Sequence, residues 1–174
     1  LPLRCAGSFT TSKLPDAQAM QESVTSMLSA IHCGANFLLH SAGFLDGLLS
    51  MSYEKFVMDV DYCGALHTYL AGVPVDDNAL ALDAFSEVGP GNHFFGVSHT
   101  MQNYETAFWD TDLSDNDSFE TWDENGGSDM ATRANARWKK VLAAYEAPSI
   151  DPGVDQALQE FIACKKAEMP DAWY

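Results

Sequence analysis

The histidines and phenylalanines of this chain sit where they could do chemistry. His40 closes the apolar stretch Ala35-Asn36-Phe37-Leu38-Leu39-His40-Ser41. If that stretch is a strand, Asn36 shares the parity of His40 and both side chains face the same way. His93 and His99 stand near the ends of a second such stretch, Asn92-His93-Phe94-Phe95-Gly96-Val97-Ser98-His99. An imidazole at a strand end can carry a proton or hold a polar ligand. Inside an apolar wall it is as often a satisfied core group. Cys63 and His67 lie on one face of an expected helix, a spacing that allows two metal ligands. With no further donor nearby, packing explains that pair better. Cys5, Cys33 and Cys164 have apolar surroundings, and no CxxC spacing occurs, which reads as reduced thiols in a cytosolic protein.

Charge removes some classes of function. The formal net charge is −16 with only nine Lys and Arg, too few to neutralise a phosphate backbone, so no nucleic acid is expected. The acidic stretch 110–129 reads as a solvated surface, suited at most to docking a basic partner. It lacks the calcium-loop pattern. A composition of 47% hydrophobic and 20% charged residues is that of a globular protein. Neither a long apolar run nor a basic-then-apolar leader is visible, so no membrane partner is expected.

The elements that would position these residues alternate. Leu3 to Phe9 reads as a buried strand running into a polar loop. A helix follows from Pro15-Asp16, with Ala17, Met20, Val24, Met27, Leu28 and Ile31 on one face and Gly34 ending it. Residues 35–41 form the next strand, and the crossover between the two is long enough for parallel pairing. A second helix opens at Ser52, with Tyr53, Phe56, Val57, Val60 and Leu70 as its expected apolar face. A shorter helix, about 77–88, stops at Gly89-Pro90. Residues 92–99 supply a third strand. The remainder is helical, with Ser128 and Asp151 as caps. Its expected inward faces are Ala131, Ala134, Trp138, Val141, Leu142 and Tyr145, then Val154, Leu158, Phe161 and Ile162. The class is α/β. Three strands with open edges make a poor closed sheet, so the chain is expected to be a piece of a larger barrel.

Several stretches in order carry a family resemblance. They are Ser12-Lys13-Leu14-Pro15-Asp16-Ala17-Gln18-Ala19, Gly34-Ala35-Asn36-Phe37-Leu38-Leu39-His40 with Ala42-Gly43-Phe44-Leu45, and Ser52-Tyr53-Glu54-Lys55-Phe56-Val57-Met58-Asp59. Further on come Glu87-Val88-Gly89-Pro90-Gly91-Asn92-His93-Phe94 with His99-Thr100, then Phe119-Glu120-Thr121-Trp122, Arg133-Ala134-Asn135 and Leu142-Ala143-Ala144-Tyr145. Together they resemble the trimethylamine methyltransferase family, which includes corrinoid-dependent glycine betaine methyltransferases. The likeness corresponds to the C-terminal third of a member. It implies the C-terminal part of a (β/α)8 TIM barrel with a helical C-terminal tail, divided as barrel strands and helices over 1–109 and an acidic segment plus tail over 110–174. It also implies a cytoplasmic homo-oligomer completed by an N-terminal half, and transfer of a methyl group to the Co(I) cobalamin of a separate corrinoid protein. Some members use pyrrolysine. This chain has only standard residues and looks closer to the branch acting on quaternary amines such as betaines.

Demethylating a quaternary amine releases a neutral tertiary amine, so no proton need reach the leaving nitrogen. The protein must hold the ammonium, exclude water and aim one methyl. Aromatic faces suit that cation, and Phe9, Phe44, Phe94 and Phe95 lie on or just after expected strands. A betaine carboxylate would want Arg4 or Lys13. The resemblance thus makes Arg4, Phe9, Lys13, Asn36, His40, Phe44, His93, Phe94 and His99 the candidate substrate-binding residues. A non-catalytic module that binds a corrinoid protein or another subunit is the alternative, and a metal-dependent barrel enzyme ranks behind it.

Overall fold

A computed structural model describes residues 1–169. Helices dominate, joined by a few short strands. β1 (Arg4–Ala6) leads into α1 (Ala17–His32), which returns to β2 (Phe37–Leu39). The two strands pair in parallel, Arg4 opposite Phe37 and Ala6 opposite Leu39. This is the expected strand–helix–strand unit. Asp16 caps α1 by accepting from the Ala19 amide, and Gly34 follows its last turn at φ 76°, a conformation that costs glycine nothing.

The inward stripe of α1 is Ala19, Ser23, Met27 and Ala30. These mostly small residues let β1 and the next helix approach closely. Gly7 makes the approach to β1 possible, since a Cβ there would lie 2.7 Å from Met27 Cγ. Of the expected face, Met27 is buried, Ala17 is exposed, and Met20, Val24, Leu28 and Ile31 are half-buried.

A small antiparallel hairpin, β3 (Phe44–Leu45) with β4 (Ser50–Met51), surrounds a 3-10 turn at Asp46–Leu48. The sequence reading had only a glycine turn here. The loop after β1 ties to this hairpin: the Asp46 and Gly47 amides donate to the Ser12 and Thr10 carbonyls, both at 2.9 Å. Glu22 holds the same loop from α1, accepting from Thr11 and Ser12.

α2 (Tyr53–Ala71) starts at Ser52 as expected, but its inward face differs. Lys55, Met58, Asp59 and Leu66 are buried, while Tyr53, Phe56, Val60 and Leu70 are exposed. The cause is a buried ion pair that takes the stripe an apolar reading assigns to hydrophobic residues.

The single helix expected at about 77–88 is two, α3 (Asp77–Leu80) and α4 (Leu82–Val88), parted where Ala81 turns left-handed at φ 51°, and α4 ends at Gly89 as anticipated. The expected strand 92–99 does not form. Gly96 turns the chain at φ 87°. The Phe94 carbonyl accepts from the Thr100 hydroxyl at 2.8 Å, and α5 (Ser98–Asn103) begins where the strand would have continued. Local turn and side-chain bonds outcompete the ladder. Ala84, Val88 and Val97 form a small core here.

After α6 (Phe119–Glu124), α7 (Met130–Ala143) is capped by Asp129, which accepts from the Thr132 amide at 2.7 Å. Ser128, the expected cap, instead offers its carbonyl to Trp122 and Arg133. Ala134 packs with Met58 and Leu113 in a second core, so α7 rests on α2. That face of α7 follows the sequence reading, whereas Val141, Leu142 and Tyr145 beyond it are exposed. One compact unit therefore runs from Leu1 to Lys140, and a second begins at Val141.

In the second unit, α8 (Pro152–Glu168) opens with the predicted Asp151 cap and first-turn proline. Val154, Leu158, Phe161 and Ile162, expected to point inward, are exposed. Among the described residues no helix is long and apolar enough to cross a membrane.

Candidate functional site

Because β1 and β2 run in parallel, their C-terminal ends open on the same side. Two unusual residues stand there. Ser8, just past β1, has φ 50°, and His40, just past β2, has φ 54°. Non-glycine residues in this region cost roughly 1–3 kcal/mol each and persist where surroundings enforce them. The turn at His40 aims its imidazole between two phenylalanines. Its ring centroid lies 5.3 Å from that of Phe9 and 5.3 Å from that of Phe44. Phe9 is tilted at 34° and Phe44 stands edge-on at 76°. Phe9 and His40 remain exposed and Phe44 is half-buried, so the cluster presents aromatic surface outward.

Under this cluster lies a polar network with no exposure. Asp59 accepts from the Ser8 hydroxyl at 2.7 Å and from the Gly43 amide at 2.9 Å. Lys55 Nζ donates to Asp59 at 2.5 Å, to Ser23 Oγ at 2.6 Å and to Ser8 Oγ at 3.2 Å. Lys55, Asp59, Ser8 and Ser23 are all fully buried. Every proton of the ammonium finds an acceptor, which is the condition for burying such a charge. Sequence reasoning missed this network. The signal was available: Lys55 and Asp59 are one helical turn apart, and both share the α2 face of Met58 and Leu66.

The other candidates are distributed. Lys13 is on the loop after β1, largely exposed, bonded to the Thr11 carbonyl and 3.5 Å from Asp46. Arg4 is the first residue of β1, so it stands at the opposite end of the strands from Phe9 and His40. Asn36 is also at that end, where its side-chain oxygen accepts from the Leu3 amide at 2.9 Å. The parity argument linking Asn36 to His40 fails because β2 stops at Leu39 and the chain turns left-handed. His93 packs on Phe95, Phe94 packs edge-on against Phe85, and His99 Nε2 is 2.6 Å from the Asn78 carbonyl. These contacts stay within the segment of α3 to α5, and none reaches Phe9, His40 or Phe44. A cleft of about 540 Å³ beside them is lined by Asp77, Asp83, Glu87 and His99. Among the described residues no three His, Cys, Asp or Glu side chains converge as a metal site. Cys63 is half-buried, and desolvation raises its thiol above the ordinary range, with the Asp59 charge adding to the effect.

Comparison with known proteins bears on what this constellation belongs to. A sequence model of the trimethylamine methyltransferase family matches residues 1–170. The chain belongs to the trimethylamine methyltransferase family. A glycine betaine methyltransferase of Desulfitobacterium hafniense is 40% identical over 169 residues, covering 97% of this chain and 35% of the relative. A trimethylamine methyltransferase of Methanosarcina barkeri is 30% identical over 162 residues, covering 93% and 32%. One from Methanosarcina mazei is 33% identical over 156 residues, covering 88% and 31%. The chain thus spans about a third of the length of these relatives.

Within this family member two acidic side chains tie neighbouring elements together. Hydrogen bonds from Gln18 and Thr11 lower Glu22 to about 2, so it stays ionised while holding the loop that carries Thr11 and Ser12. Glu54 is lowered to about 2 by bonds from Asn135 and Trp138, which clasp α7 to the start of α2. Tyr53 stacks on Trp138 at 4.9 Å beside them. The family motifs around Glu54 and Asn135 are therefore two halves of one contact. That pairing was not apparent from either stretch alone.

Proposed function

We propose that this chain forms the C-terminal part of a (β/α)8 barrel and supplies an onium-binding wall. The enzyme would be a methyltransferase that moves a methyl group from a methylated, quaternary and betaine-like amine to the corrinoid of a partner protein. The observation carrying this reading is the Phe9–His40–Phe44 cluster at the C-terminal ends of a parallel strand pair, in a chain of this family. Barrels of alternating strands and helices place their sites at that face.

The corrinoid, carried by its own protein, is the methyl acceptor and supplies the nucleophile. The work left to this chain is binding and orientation. A trimethylammonium group laid against Phe9 and Phe44 gains about 0.5–2 kcal/mol per aromatic face, with His40 between them fixing the depth of the site. A neutral tertiary amine leaves, so no acid is required at the nitrogen. Orientation and exclusion of water then carry the rate. Lys13, exposed on the loop after β1, is the cation suited to a betaine carboxylate, whereas Arg4 at the other end of β1 is not.

The test is methyl transfer by the intact protein. It is incubated with a Co(I) corrinoid protein and either glycine betaine or trimethylamine, and the visible spectrum is followed for conversion to the methylated form. Conversion with a quaternary amine supports the reading. Failure with every methylated amine, in a protein of verified full length, overturns it.

A further inference from the structure

We propose that Asp59 is a positioning residue that sets Phe9 and Phe44 on the two sides of His40. This inference rests on the reading of that cluster as the substrate wall. Asp59 lies on α2, fully buried, and its Oδ2 reaches two separate loops. One arm ends on the Ser8 hydroxyl, and Ser8 immediately precedes Phe9. The other ends on the Gly43 amide, and Gly43 immediately precedes Phe44. A single carboxylate oxygen therefore anchors the residue before each aromatic wall.

The backbone at both anchors is left-handed, φ 50° at Ser8 and 88° at Gly43. A left-handed residue redirects the side chain that follows, so fixing these two residues fixes where the phenylalanines point. At Gly43 a side chain is disfavoured for a second reason: a Cβ would crowd Met51 at 3.1 Å and Phe56 at 3.2 Å. A further bond closes the frame. The Thr10 hydroxyl, one residue past Phe9, donates to the Phe44 carbonyl at 2.6 Å.

Lys55 and Ser23 complete the device by balancing the carboxylate. Packing alone does not require a charge here, because apolar residues of similar volume often stabilise a core as well as a buried ion pair does. What an apolar pair cannot do is hold an amide from one loop and a hydroxyl from another on one atom. Two strand ends are thereby locked at a fixed separation, the preorganisation a rigid cation needs.

The experiment uses the intact protein and two variants. Asp59→Asn removes the charge at constant volume. Ser8→Ala cuts the arm to Phe9 together with the bonds from Ser8 to Lys55 and Ser23, but keeps the Lys55–Asp59 pair and the arm to Gly43, so it serves if Asp59→Asn does not fold. Two readouts are taken: the His40 ring-proton resonances, identified by their loss in His40→Gln, and the affinity for tetramethylammonium. The flanking aromatic rings shift those resonances, so they report ring geometry without any ligand. Glu54→Gln, which loosens α7 on the same helix, is the control for a general loss of stability. We expect both folded variants to move the His40 resonances and weaken tetramethylammonium by about fivefold or more, while Glu54→Gln leaves both in place. His40 resonances unchanged in folded Asp59→Asn or Ser8→Ala overturn the inference. If the wild type binds no tetramethylammonium, the proposed function fails, and the resonances alone still decide whether Asp59 sets the cluster.

Discussion

Glu54 offers a perturbation whose size and pH dependence both follow from geometry. Its Oε1 accepts from Asn135 at 2.7 Å and Trp138 at 2.8 Å, and its Oε2 accepts from Ser52 at 2.8 Å. These bonds hold α7 against α2 across a long stretch of chain. The carboxyl is lowered from 4.5 to about 2, and that difference corresponds to a ceiling of about 3 kcal/mol favouring the folded, ionised form. Solvent around a partly buried carboxylate screens it, so about 1–2 kcal/mol is expected. Because the folded value is depressed, this stabilisation is complete above the unfolded value of 4.5 and is lost as pH falls towards 2. Glu54→Gln should therefore reduce hydrogen-exchange protection of α7 in the intact protein by about tenfold at neutral pH. After correction for intrinsic exchange, the gap between variant and wild type should shrink to less than half, in free energy, by about pH 3. An equal loss of protection at both pH values would refute the role of the charge. No loss at neutral pH would refute the clasp itself.

The cysteines and Tyr62 give two further tests. Cys33 and Cys164 are exposed, whereas Cys63 is half-buried with a thiol raised by desolvation. Iodoacetamide at neutral pH should alkylate Cys33 and Cys164 well before Cys63, as peptide mass mapping would show, since the thiolate is the reacting form. Modification of Cys63 at the same rate would contradict its placement. The Tyr62 hydroxyl is buried without a hydrogen-bond partner among the described residues. Tyr62→Phe should then leave thermal stability unchanged or raise it by about 1 kcal/mol, and a loss of more than that would mean the hydroxyl has a partner in the intact protein.

Much of the positioning frame was legible in the sequence, and the exceptions have physical causes. Pro15-Asp16 and Gly34 bounded α1, Ser52 opened α2, and the parallel β1–β2 pair followed from a crossover of helical length. The inward face of α2 departs from the expected one because hydrophobic periodicity counts Lys55 and Asp59 as solvent-facing, and only their one-turn spacing signals a mutually satisfied pair. Residues 92–99 have the aromatic content of a strand, yet Gly96 and the bond from Thr100 to the Phe94 carbonyl favour a turn into α5. The β3–β4 hairpin is too short to leave a period. His40, Phe9 and Phe44 were singled out from their types and positions, but their convergence depends on left-handed turns at Ser8 and His40. Serine has no preference for that conformation, and the mild enrichment of histidine there is too weak to place a turn at His40. Asn36 fell away for the same reason, since alternation stops counting once the strand ends.

The cluster's preference for charge tests the central claim most directly. Glycine betaine and its carbon isostere 3,3-dimethylbutanoate have the same shape and carboxylate, and differ in the onium charge at the atom Phe9 and Phe44 would face. Isothermal titration of the intact protein should find glycine betaine bound about tenfold or more tightly, as two aromatic faces require. Replacing both phenylalanines by leucine should erase that preference. Equal binding of the two ligands by the wild-type protein would contradict an onium site at Phe9, His40 and Phe44.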